Sequence, residues 1–224
     1  MRTDKLTIPT KRFISYGIGL LIVFCFIFWK FAEELIEKEL HTFDMTIINF
    51  IQSFISADNT RIMKLFTFMG STTAIVGLAI LVICLMMLNK KWWETLFFTM
   101  AVAGSSIFNL FLKWIFHRAR PTIHPLIAET GYSFPSGHSM VSFAFYGMLA
   151  YFLVLFLTNR VAKRIIVVVF SFLIFLIGIS RIYLGVHYPS DVIAGFSAGG
   201  VWLIFCLMFL KIVLDIRGKN NYTN

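Results

Sequence analysis

Six apolar runs, each close to twenty residues, dominate this chain: about 13–32, 65–88, 94–116, 138–158, 164–181 and 190–213. Crossing the hydrocarbon core of a bilayer takes about 20 apolar residues of helix. Inside that core only helices and closed barrels can satisfy their own backbone polar groups. The pattern predicts an all-α polytopic membrane protein with six transmembrane helices, forming one integral-membrane domain over residues 1–224. Composition agrees, with 58% of residues hydrophobic and only 14% charged, where soluble domains carry about 25% charged residues. The first run exceeds the roughly 7–15 apolar residues of a signal peptide, and no small-x-small cleavage pattern follows it, so it reads as a retained anchor. Cys25, Cys84 and Cys206 lie inside apolar runs without metal-site or disulfide spacing and read as packing residues.

Charge sets the direction. Six spans put both termini on one side, together with Arg2, Lys5, Lys11, Arg12, Lys90, Lys91, Arg160, Lys163, Arg164, Lys211, Arg217 and Lys219. Only Asp4, Glu94 and Asp215 oppose them there. The positive-inside rule makes that side cytoplasmic. The net charge of +9 is thereby explained by topology, and no nucleic-acid partner is expected; the expected partners are the bilayer and a lipid. Between the first two runs, Glu33 to Lys64 mixes acids with Phe43, Ile47, Phe50, Ile51 and Phe54 at helical spacing, which predicts an interfacial helix. Trp92 and Trp93 fit an aromatic belt, and Gly195 and Gly199 fit close helix packing.

Against this background three polar stretches stand out. They are Lys113 through Arg120-Pro121, then Pro135-Ser136-Gly137-His138, then Ser180-Arg181 with His187 and Asp191. Each sits at the end of an apolar run, and counting helix directions brings all three to the extracytoplasmic face. Ionisable groups at membrane depth are costly and mark function. Lys113, Arg120 and Arg181 offer one point charge and two planar forks, a set suited to phosphate oxygens. Ser136 and Gly137 open a helix, where unpaired N–H groups attract anions, although Ser is equally an ordinary N-cap. His138 brings an acid or base to the same terminus. His187 and Asp191, four apart, are spaced for a carboxylate to fix the imidazole tautomer and free the other nitrogen for attack. His117 and His124 belong to the intervening loop, and His41 is expected to be solvated. No acidic, His-rich or Cys-rich cluster suggests a metal, so metal-independent chemistry without a cofactor is expected.

In order and spacing these stretches resemble the signature of the type 2 phosphatidic acid phosphatase superfamily: Lys-x6-Arg-Pro, Pro-Ser-Gly-His, and Ser-Arg-x5-His-x3-Asp. The likeness covers about residues 65–213, with no departure at a defining position. It implies a lipid phosphatase in which His187 attacks phosphorus to give a phosphohistidine, Asp191 orients it, and His138 protonates the leaving oxygen. Lys113, Arg120, Ser136, Gly137 and Arg181 would hold the phosphoryl oxygens. Small bacterial members imply phosphatidylglycerol phosphate or undecaprenyl pyrophosphate as substrate, with phosphatidic acid a third candidate. A phosphotransferase would use the same first half-reaction. A non-catalytic phospholipid-binding or transport protein would not need the histidines and acid that this chain retains.

Overall fold

The computed structural model describes residues 9–220. Arg2, Asp4 and Lys5 lie outside the described residues, as does the side chain of Lys219. Eight helices and no strand occur among them: α1 (Thr10–Glu37), α2 (His41–Gln52), α3 (Ala57–Met69), α4 (Thr72–Leu88), α5 (Trp92–Phe116), α6 (Gly137–Phe156), α7 (Arg160–Tyr183) and α8 (Pro189–Asn220). Five of these, α1, α5, α6, α7 and α8, are each long and apolar enough to cross a membrane. The bent pair α3–α4 meets the same criterion taken together, which brings the candidate crossings among the described residues to as many as six.

That sixth candidate differs from the continuous span expected at 65–88. It breaks at Gly70-Ser71 and turns by 46°. Gly70 ends α3, and the Ser71 side chain starts α4 by accepting from the Ala74 N–H. At 17 residues α4 spans only about 25 Å, so the end of α3 completes the crossing. Single-residue periodicity carries no record of such a bend, because both halves remain apolar.

The segment between the first two spans also differs from a single interfacial helix. The anchor helix α1 continues to Glu37, Lys38 takes a left-handed conformation at its end, and α2 then runs beside α7 and α8. Its inward face is Leu40, Asp44 and Ile48, with Met45 and Ile51 partly covered. Phe43, Phe50 and Phe54 are exposed on the outer surface of the protein, the face an interfacial helix turns to lipid. The inward phase is set by Asp44, 1% exposed, which has ionic partners inside, and a buried carboxylate goes where its partners are.

The core is built by α6, which packs against α5, α7 and α8, while α1 lies along α8. Phe98, Phe145, Phe152, Met148, Ile177 and Leu210 fill the centre. Cys206 joins them, whereas Cys25 and Cys84 lie on the outer surface and do not pack as expected. Gly195 and Gly199 do let α8 close onto α6: a Cβ at Gly195 would meet the Ser136 carbonyl at 2.7 Å, and one at Gly199 the Met140 carbonyl at 2.6 Å. Backbone cannot yield as a side-chain tip can. Gly195→Val is therefore expected to destabilise the protein by about 1–3 kcal/mol, read as a lowered melting temperature in detergent. An unchanged melting temperature would show that the α6–α8 approach is not as close as this.

Candidate active site

The ends of α5 and α7 and the starts of α6 and α8 lie at one end of the bundle, and the loop 117–136 folds over them. There Pro189 opens α8 in its favoured first-turn position, placing His187 in the preceding turn and Asp191 in the first turn of the helix. Both are buried, at 1% and 0% exposure. His187 Nδ1 lies 3.4 Å from Asp191 Oδ2 and 3.2 Å from Ser133 Oγ. Ser133 Oγ in turn donates to Asp191 Oδ2. On the other edge of the ring, Arg120 Nη1 is 3.2 Å from His187 Nε2. A guanidinium can only donate, so Nε2 accepts and the ring proton resides on Nδ1, facing the serine and the carboxylate. The neighbours thereby assign the tautomer that leaves Nε2 with a lone pair.

Burial pushes His187 down to about 4; Asp191 pulls the other way, and Arg181 and Arg120 add to the depression. At neutral pH the imidazole is uncharged. Arg120, partly buried, also donates to the carbonyls of Gly131, Thr130 and Val186 at 2.9–3.0 Å. Those bonds tie the loop to the turn that carries His187. Arg181, 1% exposed, donates to Thr67 Oγ1 and to Glu129 Oε1, each at 2.5 Å. Its buried Nε has no partner. Lys113, in the last turn of α5, reaches the Tyr132 carbonyl at 2.7 Å. Burial raises the pKa of Glu129, but the charges of Arg181 and Arg120 outweigh it and hold this carboxyl below its usual range.

The second motif forms the start of α6. Ser136 Oγ accepts from Ser139 N and Oγ, and Ser136 N–H donates to the Asp191 carbonyl at 2.9 Å. Its side chain thus serves as an N-cap, the ordinary use of serine, through bonds in which the hydroxyl oxygen only accepts. Gly137 and His138 follow, and their N–H groups have no acceptor within the helix. A Cβ at Gly137 would come 2.9 Å from Asn109 Oδ1. The bend at Gly70 packs against His138, since a Cβ there would lie 3.3 Å from the His138 ring.

The structure thus brings His138, His187, Asp191, Lys113, Arg120, Ser136, Gly137 and Arg181 to one end of the bundle. It adds five residues that sequence reasoning missed: Ser133, Arg118, Asp44, Glu129 and Thr67. Arg118 had a signal, being a second arginine two positions before Arg120. Asp44 and Thr67 had none, because they arrive from helices distant in sequence. His117 packs edge-on against Tyr132, and His41 is exposed. No group of three or more His, Cys, Asp or Glu side chains is arranged to hold a metal among the described residues.

A family profile described as the PAP2 superfamily matches residues 92–213, more than half of the chain. The chain belongs to the PAP2 superfamily. Phosphatidylglycerophosphatase B of Bacillus subtilis is 36% identical over 142 residues, covering 62% of this chain and 69% of that relative. Lipid A 1-phosphatase of Rhizobium etli is 37% identical over 123 residues, covering 50% of this chain and 48% of that one. The crystal structure of the transmembrane PAP2-type phosphatidylglycerolphosphate phosphatase from Bacillus subtilis superposes with a TM-score of 0.77 at 28% identity, over 86% of this chain and 94% of that chain. The multi-span helical architecture is therefore that of a membrane PAP2 enzyme, and the chain is a lipid phosphatase. The matched residues comprise α5 to α8; Asp44 and Thr67 come from helices that precede them.

Proposed function

We propose that this PAP2 enzyme hydrolyses a lipid phosphate at the extracytoplasmic face of the cell membrane through a phosphohistidine, without a metal or cofactor. The observation that carries the reading is the set of three contacts on the His187 ring. Asp191 and Ser133 hold Nδ1, and Nε2 is left unprotonated beside Arg120. In the first step Nε2 forms a bond to phosphorus while the bond from phosphorus to the lipid oxygen breaks. His138 gives its proton to that oxygen, and the lipid leaves as its alcohol, or as its monophosphate where the substrate is a diphosphate. In the second step water, losing a proton to His138, attacks the phosphohistidine and frees His187. Arg120, Arg181, Lys113 and the N–H groups at the start of α6 stabilise the charge on the equatorial oxygens. Three cations supply there what a metal supplies elsewhere.

Helix direction supports the proposed face. Lys11, Arg12, Lys90, Lys91, Arg160, Lys163, Arg164, Lys211 and Arg217 fall at the end of the bundle opposite the site, which the positive-inside rule assigns to the cytoplasm. Both termini follow them. A headgroup-level phosphate with its tail in the bilayer is then the natural substrate. Phosphatidylglycerol phosphate is favoured because a relative aligned over 69% of its length is named for it; undecaprenyl pyrophosphate and phosphatidic acid present the same terminal phosphate.

The test is phosphate release by the purified protein in detergent, with and without EDTA, on these three lipids in parallel. Release from at least one of them, unchanged by EDTA, is expected. Activity abolished by EDTA and restored by a divalent cation would sink the metal-free scheme. No release from any lipid, with phosphoryl transfer to an added lipid acceptor, would replace the hydrolase by a phosphotransferase.

A further inference from the structure

Behind Asp191 lies a second layer of ionic contacts that the phosphoryl-transfer scheme does not use. Arg118, in the loop after α5, has a side chain 13% exposed and holds its guanidinium between two buried carboxylates. Nη1 donates to Asp191 Oδ1 at 2.6 Å and to Ser190 Oγ at 2.7 Å. Nη2 donates to Asp44 Oδ2 at 2.6 Å. The Tyr188 ring covers the guanidinium at 4.0 Å. Asp44 also accepts from Ser190 N at 2.9 Å and from Ser190 Oγ at 2.7 Å, so α2 is fastened to the first turn of α8.

These contacts divide the two oxygens of Asp191. Oδ1 belongs to Arg118, while Oδ2 accepts from Ser133 Oγ and Tyr188 N and faces His187 Nδ1. A carboxylate fixed at one oxygen cannot rotate the other away. Arg118 itself is a long side chain with considerable rotamer freedom, and its second fork nitrogen is immobilised by Asp44. The three groups also balance in charge: one cation between two anions, with hydrogen bonds on every carboxylate oxygen, which is the condition under which buried ions are tolerated. Burial lowers the pKa of Arg118, but Asp191 and Asp44 outweigh this and raise it, so the cation persists at any working pH.

We propose that Arg118 and Asp44 are positioning residues for phosphoryl transfer: Arg118 locks the rotation of Asp191, and Asp44, on α2, locks Arg118. The helix α2, which precedes the residues matched by the family profile, is then part of the catalytic apparatus rather than a surface connector. Neither residue touches the substrate. Their effect reaches it through Asp191 and His187, and the inference rests on His187 being the nucleophile.

The experiment compares Asp44→Asn and Arg118→Gln with the parent protein, and with His187→Ala as control, on phosphatidylglycerol phosphate. A positioning role lowers kcat by about 10–100-fold, the usual cost of losing a partner that orients a functional side chain, with KM within about twofold. The pH–rate profile gives a readout that loose packing would not. Asp191, Arg120, Arg181, Glu129 and His138 also face His187 and are common to all variants. Removing the Asp44 anion makes the surroundings of His187 more positive and moves the acid limb to lower pH. Removing the Arg118 cation moves it to higher pH, each by roughly half a unit or more. Opposite displacements with reduced kcat are the expected result. Parental kcat and profile in both variants would overturn the inference, as would displacements of the same sign or a change confined to KM. Should Arg118→Gln fail to fold, Asp44→Asn decides alone, since it keeps the size of the side chain and an acceptor for Ser190 N. An active His187→Ala would overturn the underlying reading of the site itself, a result separable from parental behaviour of the other two variants.

Discussion

Replacing His187 by Ala is expected to lower phosphate release by on the order of 10⁴–10⁶-fold, the scale seen when a nucleophile is removed from a concerted catalytic set. No other residue can take over. His138 is held on α6 against the Gly70 bend, and Ser133 is committed to Asp191. The protein should still fold, because His187 bonds only to Asp191, Ser133 and Arg120 through its side chain, and its turn is secured independently by Arg120 on the Val186 carbonyl and by the Arg181 carbonyl. Rapid quenching of the parent enzyme with labelled lipid phosphate should trap a phosphoenzyme that survives alkali and is lost in acid, as a phosphoramidate must be. His187→Ala should trap none. Turnover within tenfold of the parent would remove His187 from the role of nucleophile.

Much of this site was legible because its chemistry is expensive in a membrane. Lys113, Arg181, His187 and Asp191 stand out against apolar runs, since each needs a reason to lie there. Helix direction alone then carries three separated stretches to one end of the bundle. The helices α5 to α7 follow their apolar runs to within four residues, while α8 starts on its run and continues seven residues past it. What stayed hidden depends on three-dimensional pairing. The phenylalanines of α2 mark its outer, lipid-compatible face, whereas the inward face around buried Asp44 left no hydropathy signal. The bend at Gly70 leaves hydropathy unchanged. Ser133 looks like any loop serine until its hydroxyl is seen between His187 and Asp191. Ser136 takes the N-cap role that its position at the start of α6 also suggested.

Asp191→Asn is the variant that separates orientation from proton affinity. Asp191 fixes the Nδ1–H tautomer by accepting, and an amide can instead present its N–H to Nδ1. That stabilises the tautomer with the proton on Nε2, where it faces the Arg120 donor and blocks the lone pair. A loss of kcat of on the order of 10³–10⁴-fold is expected, as for loss of the orienting acid in other triads. The acid limb gives the opposite impression. In the parent, burial holds His187 at about 4 while the Asp191 hydrogen bond and charge act to raise it. The nucleophile is therefore neutral above about pH 4 and is lost to protonation below it, so the parental rate, corrected for ionisation of the substrate phosphate, should fall on the acid side near that value. Without the carboxylate the raising contribution disappears, and the limb should move to still lower pH. A variant slower by three orders of magnitude yet more tolerant of acid is the signature of a carboxylate that orients and electrostatically supports the imidazole. An acid limb that moved upward, or stayed in place with kcat near the parental value, would mean that Asp191 is only a structural cap for α8.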